Sequence, residues 1–435
     1  MTERLSGWGR FPRVACRTAD ARGEAEVRAR LAEGRSWIAR GAGRSYGDPA
    51  LNPDGVLRMG KSNRILSFDS ASGELACEAG VLLADVISTF VPRGWFPPVT
   101  PGTKFVTLGG MAACDVHGKN HHGAGSFGRQ LLWLDVMLAD GAVVRTRPGE
   151  DLFGAVVGGM GLAGVILRMA FRLQRIESPL MRQVTVAAPN LDAAMAAFEA
   201  RPDATYSVAW IDCLARGAAQ GRSLVYFGEH ATAEEARGAP PRRPPRAARI
   251  PVDFPGLALN PLSVRAFNEL YWRRGRPGRA LVDYEPYFYP LDAVLEWNRI
   301  YGPGGFVQHQ CVLPPDGARE ALGLMLDRIS ARGAGSFLAV LKLMGEGTPG
   351  CPLSFPMPGW TLALDFQATS ANFSLLTELD AVVADHGGRL YLAKDARGGA
   401  AMLRGYPDLD RFRELKARFD PERRFRSVQS ERLGL

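Results

Sequence analysis

The chain has 435 residues, 46% hydrophobic and 23% charged, enough for two or three cores and incompatible with wholesale disorder. Its net charge of +8 suits an anionic partner, whether nucleic acid, a membrane surface or an anionic substrate. Charges run through residues 1–30, no segment reaches the roughly 18 apolar residues of a spanning helix, and six cysteines lack C-x-x-C spacing, so a secretory signal, a membrane span, a zinc site and a disulfide framework are not indicated and a cytoplasmic protein is expected.

In chain order, residues 24–33 read as a first helix and SWIAR, ending at residue 40, as a strand. A glycine-rich turn follows, ARGAGRSYGD at 39–48. With Arg44 and Ser45 among Gly41, Gly43 and Gly47, it has the makings of a pyrophosphate cradle, though alone it is equally an ordinary surface turn. ILSFD and ELACEAG alternate as strands, and 83–90 suits a helix. The most informative stretch is 100–147. Between Gly109 and Gly128 it holds six glycines, three histidines and a lysine, with too few bulky apolar side chains to fill a core. Glycines in that density let the backbone approach something large, flat and polar.

Gly159, Gly161 and Gly164 satisfy a dinucleotide fingerprint as a bare pattern. The residues that follow, VILRMAFRL, read as a strand rather than a helix, and no acid lies between Glu177 and Asp192, so a Rossmann nicotinamide site is rejected in favour of a tight turn. From Met181 the texture changes. RQVTVAAP, TYSVAWIDCLA, RSLVYFGEH, FVQHQCVLP, SFLAVLKLMG and WTLALDFQ read as strands and LDAAMAAFEAR and 319–332 as helices, which together suggest a large antiparallel sheet with helices on one face. Between them, RGAPPRRPPRAAR at 237–249 has five arginines, four prolines and no acid, and is expected to be a mobile or extended loop. It lacks the interleaved aromatics of an RNA site; a phosphate-attracting lid near a bilayer and a plain solvated loop both remain open. YLAKDARG and a helical LDRFRELKARFD close the sequence.

ARGAGRSYGD, TPGTKFVTLGGMAACDVHGKNHHGAGSFG, DLFGAVVGGMGLAGVI and YLAKDARG, in that order, resemble the flavin-linked oxidases of the vanillyl-alcohol-oxidase type, within them the branch that oxidises a polyprenylphosphoryl pentose during its epimerisation. The resemblance runs through nearly the whole chain. It implies an α+β, two-domain FAD-linked oxidase: an FAD-binding domain at 1–178, a substrate domain on the antiparallel sheet at 179–388, and a segment at 389–435 returning to the first. The implied reaction converts the 2′-hydroxyl of a polyprenylphosphoryl ribose to a 2′-ketone, with a separate NAD(P)H-dependent short-chain reductase completing the epimerisation and a quinone or other acceptor reoxidising the flavin. A peripheral position at the inner membrane face is compatible with it. A flavin oxidase of a soluble alditol, aldonolactone or other sugar alcohol is the alternative; a nucleic-acid partner is not expected.

Lys394 lies at the end of an apolar strand, RLYLAKD, where burial would lower its pKa and let it act as a base or as a donor to the alkoxide, or where it simply pairs with Asp395 in solvent. The resemblance favours the catalytic reading. His117 has no apolar stripe around it, and H-x-x-x-H-H without a nearby acid beyond Asp115 is poor metal spacing, so no metal is expected. By resemblance His117 and Tyr46 approach the flavin ring and act with Lys394, while His121 and His122 only fix the loop. Gln308 and Gln310 alternate on one strand and share a face, a substrate wall or the wet side of a sheet. The resemblance places them at the substrate together with Lys119, Trp210, Lys342, Asp365 and Lys394. It assigns FAD to Ala39, Arg40, Gly41, Ala42, Gly43, Arg44, Ser45, Tyr46, Gly47, Asp48, Gly102, Thr107, Leu108, Gly109, Gly110, Cys114, Asp115, Val116, His117, Ile166 and Tyr391. Covalently flavinylated relatives carry a histidine where this chain has Arg44, which cannot form that bond, so dissociable FAD is expected. Thr361 and Ala363 replace a polar Asn and a Cys of the mycobacterial-type oxidases, which puts the identity of the sugar lipid in doubt.

Overall fold

The computed structural model describes residues 1–239, 247–256 and 259–435. The centre of the Arg/Pro segment, 240–246, for which a mobile loop was expected, lies outside the described residues. Its C-terminal flank enters a short parallel pair, Ala248–Arg249 against Val294–Leu295.

A small sheet sets Thr2–Ser6, Arg13–Asp20, Val56–Arg58 and Ile38–Arg40 side by side, the last two strands parallel. Ile38–Arg40 therefore runs straight into the 41–47 turn. A second, antiparallel sheet orders Ile65–Phe68, Glu74–Glu78, Val165–Arg172, Leu131–Met137 and Val143–Thr146. Helices Leu83–Phe90 and Leu108–Ala113 bury Leu83, Val86, Phe90, Leu108 and Met111 against Leu75, Leu134, Met169 and Phe171 of that sheet. Side chains so fully buried contribute roughly 1.5–3 kcal/mol each. The 159–164 glycines form the expected turn into a strand, with Gly161 at φ +80°.

The third sheet has eight antiparallel strands in the order Gly278–Asp283, Leu180–Ala188, Ser223–His230, Tyr206–Ile211, Ala339–Met344, Gly359–Gln367, Phe306–Leu313 and Arg389–Leu390. Side chains alternate across it. Ala209, Ile211, Leu341, Leu362, Leu364 and Cys311 face a core capped by helices Leu191–Glu199, Ala318–Arg332 and Ser370–Asp385. The intervening residues, Trp210, Lys342, Ala363, Gln308 and Gln310, face the other way, away from these three helices, and a cavity opens there, with Tyr271 of the Pro261–Arg274 helix packed on Trp210.

The strand expected through RLYLAKD is confined to Arg389–Leu390; Tyr391 to Lys394 is a turn, closed by Lys394 N–H donating to Tyr391 O at 3.0 Å. Lys394 does not pair with Asp395. That carboxylate is taken by Arg432, which reaches Asp395 Oδ2 and Asp48 Oδ1 at 2.7 Å each. Phe425 bridges Trp37, and Gln429 donates to Leu392 O at 2.7 Å, so the 420–432 segment ties the first sheet to the Lys394 turn.

Candidate active site

The glycine-rich segments and this second face of the large sheet meet around a cavity of about 600 Å³. On one side the backbone comes closer than side chains allow. A Cβ on Gly41 would stand 2.0 Å from Thr107 Oγ1, and one on Gly109 2.8 Å from the Ala79 methyl. Thr107 caps the Leu108–Ala113 helix by accepting from Gly110 N–H at 3.3 Å. The amides of residues 41–45 donate to none of the described residues, and the turn is open to a ligand, with Ala42 exposed and the other four residues half-buried. A row of free N–H groups in a glycine turn fits the acceptor oxygens of a pyrophosphate. Arg44 packs its guanidinium 3.9 Å above the Trp8 ring.

Three lysines, all half-buried, converge from the opposite side. Lys342 Nζ lies 3.1 Å from His117 Nδ1, and the Gln310 amide nitrogen 3.1 Å from His117 Nε2 and 3.3 Å from Thr361 Oγ1. A neutral imidazole has one N–H. When Lys342 is an ammonium it donates to Nδ1, Nε2 carries the ring proton, and the Gln310 amide turns its oxygen to it; a neutral Lys342 can donate or accept, so either tautomer then fits. The charged form of Lys342 thus fixes the tautomer of His117. Desolvation brings Lys342 down to about 7, helped by the neighbouring Lys394 ammonium, and Lys119 also to about 7, helped by Lys342. Burial and the positive Lys342 hold His117 well below its ordinary value, so its ring is neutral. Lys119 donates to Tyr287 O and rests 4.5 Å from that ring's centroid.

Lys394 Nζ sits 3.8 Å above the Tyr46 ring. Desolvation lowers its pKa while Asp365 opposes the shift, and the same burial raises Asp365. Asp365 accepts from Gln308 Nε2 at 2.6 Å through one oxygen; its other oxygen has no partner. Burial also holds the Tyr46 phenol in its neutral form. The result is a cavity with three lysines of easily changed charge, a neutral histidine and two amides.

Of the residues expected at the site, Ala39, Gly41, Ala42, Gly43, Arg44, Ser45, Tyr46, Gly102, Thr107, Gly109, Gly110, Cys114, Val116, His117, Ile166 and Tyr391 line the cavity, as do Lys119, Trp210, Gln308, Gln310, Lys342 and Lys394. Six do not. Arg40 turns away to Ser6 O and Ala50 O, and Asp48 is held by Arg432. Gly47 is pressed on Asp395 O, Leu108 is core, and Asp115 fixes Gly128 N–H and Ser354 Oγ. Asp365 stands behind Gln308 and acts through it. His121 and His122 fix the loop as expected, through Ser126 Oγ at 3.0 Å and Ala204 O at 2.6 Å.

Residues 14–147 match a family model described as FAD binding domain. The chain is 39% identical over 452 aligned residues to a decaprenylphosphoryl-β-D-ribose oxidase of Mycolicibacterium smegmatis, spanning 100% of this chain and 98% of that one. The chain belongs to this family of FAD-linked oxidases. A Streptomyces coelicolor protein is 39% identical over 360 residues, 79% of this chain and 97% of its own. The L-gulonolactone oxidase of Mus musculus shares 31% identity over 136 residues, 30% of each chain. As an FAD-dependent oxidoreductase acting on CH–OH groups, the family member needs an isoalloxazine site beside a carbinol site, and the cavity joins a backbone cradle to a polar wall.

The sequence reading missed the aromatic rim of that cavity. Trp8, Tyr271, Tyr287, Phe288 and Trp297 line it. The density of EPYFYP at 285–290 was the available signal. Trp8 carried none, being flanked by glycines, and Tyr271, beside Trp272 and four residues after Phe267, reads as part of an ordinary helix.

Proposed function

We propose that the protein oxidises the 2′-hydroxyl of a polyprenylphosphoryl ribose to the 2′-ketone, with FAD bound without a covalent link. The observation that carries this is the single cavity joining the 41–45 amide cradle to Lys119, Lys342, Lys394, Gln308 and Gln310, in a chain collinear with the mycobacterial oxidase. Residues 1–178 and 389–435 would form the flavin side and 179–388 the substrate side. The gulonolactone oxidase likeness does not favour a soluble substrate: 136 residues cannot include both Gly41 and Trp210.

Bound there, FAD supplies the two-electron acceptor for a carbinol C–H. Lys394, whose ammonium desolvation brings down to about 8 against the opposing Asp365, takes the hydroxyl proton in its neutral form as the C–H bond breaks. Tyr46 under its Nζ keeps the amine out of water. Gln308, anchored by Asp365, and Gln310 orient the sugar hydroxyls. Lys119 and Lys342 in their charged forms hold the phosphodiester. His117, its neutral ring held between Lys342 and Gln310, sets the position of both side chains. The ketone passes to a separate NAD(P)H-dependent short-chain reductase, and a quinone or similar acceptor takes the electrons. Among the described residues no helix is long and apolar enough to cross a membrane; a peripheral place at the cytoplasmic face suits a lipid substrate.

The test is the visible spectrum of the purified protein before and after acid precipitation, followed by anaerobic addition of farnesylphosphoryl ribose to the native sample. Flavin absorbance that stays in the supernatant, and that bleaches in the native sample with the lipid, is expected. Flavin held in the pellet refutes the non-covalent link; bleaching by free alditols but not by the phospholipid refutes the substrate.

A further inference from the structure

Helix Pro261–Arg274 is firmly started, with Asn260 Oδ1 accepting from Ser263 N–H at 3.0 Å, yet much of its apolar surface is left in solvent. Leu262 is 76% exposed, Leu270 49% and Phe267 41%. At about 100° per residue these three fall with Ala266 within an arc of roughly 140°, and Arg273 and Arg274 fall inside the same arc. Val264 and Asn268, on the other side, are buried.

Two further features give this face a direction. Its apolar surface continues into the cavity: Phe267 stacks on Tyr271 at 5.8 Å, and Tyr271 packs on Trp210 at 4.7 Å, the last two lining the cavity. Its charge has one sign. Residues 261–279 contain Arg265, Arg273, Arg274, Arg276 and Arg279 against a single acid, Glu269, which Arg222 and Arg273 hold at 2.8 and 2.6 Å.

We propose that the outer face of helix Pro261–Arg274 docks on an anionic lipid bilayer and seats the cavity mouth at the headgroup level, a role that rests on the polyprenylphosphoryl reading of the substrate. Leu262, Phe267 and Leu270 enter the acyl boundary, and the arginines meet lipid phosphates. The polyprenyl tail then stays in the bilayer while its sugar phosphate enters past Tyr271. Exposed aliphatic side chains interspersed with arginine suit a lipid surface better than nucleic acid, which would require stacking aromatics along a basic groove.

The test is co-sedimentation of the holoenzyme with phosphatidylcholine vesicles, with and without phosphatidylglycerol, for the parent protein and two paired variants, Leu262→Ser/Leu270→Ser and Arg274→Gln/Arg276→Gln. Binding of the parent protein to the anionic vesicles is expected, with a loss on the order of tenfold or more in the leucine pair and a loss of salt dependence in the arginine pair. None of the four residues lines the cavity, so both variants should retain the parent's flavin content and its turnover of water-soluble farnesylphosphoryl ribose while slowing on long-chain substrate presented in vesicles. A parent protein that stays in the supernatant, or either pair sedimenting as the parent does at every salt concentration, overturns the docking face. Failure of the parent to oxidise farnesylphosphoryl ribose, measured without vesicles, overturns the substrate reading instead.

Discussion

Replacing Lys342 by methionine probes whether its charge, rather than its bulk, serves the substrate. The side chain stands 3.1 Å from His117 Nδ1 on the cavity face of the large sheet, and methionine keeps most of its apolar volume. With an ammonium of about 7, roughly ten in eleven Lys342 side chains are charged at pH 6 and about one in eleven at pH 8. A charge-assisted hydrogen bond to an anionic ligand is worth about 1.5–3 kcal/mol, so Lys342→Met should lower kcat/KM roughly 10- to 150-fold at pH 6. At pH 8 the parent protein has itself lost most of that charge, and the gap should close to severalfold. Because Lys342 is one of the two causes that depress Lys119, the variant should also keep Lys119 charged to higher pH, narrowing the gap further. The assay is anaerobic flavin reduction by farnesylphosphoryl ribose across pH 6 to 9. A ratio of parent to variant that stays constant across that range refutes a role for the charge.

Lys394→Met should cost about 10²–10⁴ in kcat with little change in flavin content. Since the neutral amine is the working form and the folded pKa lies below the ordinary lysine value, kcat of the parent should rise with pH and level off, and the variant should lose that limb. Stopped-flow reduction at saturating substrate measures both. Gly41→Ala puts a methyl 2.0 Å from Thr107 Oγ1; the protein should fold by circular dichroism but purify with less than about a tenth of the parent's FAD, at a cost of one or two phosphate hydrogen bonds. Gln308→Leu removes the donor at 2.6 Å from a buried Asp365 whose second oxygen already lacks a partner, and should destabilise the fold by about 1–3 kcal/mol in urea titrations. Asp365→Asn in the same background should recover part of that loss.

The large sheet was legible because its side chains alternate: once WTLALDF and FVQHQC are read with period two, Thr361, Ala363, Gln308 and Gln310 fall on one face and the helix-covered residues on the other, His309 being the polar exception there, bonded to Asp380 of a covering helix. The glycine segments announced a backbone-lined site for the opposite reason, a lack of core-forming side chains. What stayed hidden depended on distant pairing. Thr2–Ser6 is a polar strand with little alternation in its burial, held by pairing with Arg13–Asp20, which in turn adds to Val56–Arg58. The turn at Tyr391–Lys394 looked like a strand because its residues are apolar, but they are buried by Phe355, Tyr406 and the 428–433 helix rather than by sheet pairing. Asp48 and Asp115 resembled ligand contacts through their place in the motifs; each is spent on holding other protein groups.

Arg432 joins two such groups at once, Asp48 beside the 41–47 turn and Asp395 beside Lys394, both nearly or fully shielded from water. Without it the two carboxylates would face each other uncompensated, and Asp395 would raise the affinity of Asp48 for a proton. On the ribosome the cofactor turn is therefore made early but secured late: nearly four hundred further residues must emerge before its clasp exists. A chain cut short before residue 432 would carry the 41–47 turn without the side chain that ties Asp48 to Asp395.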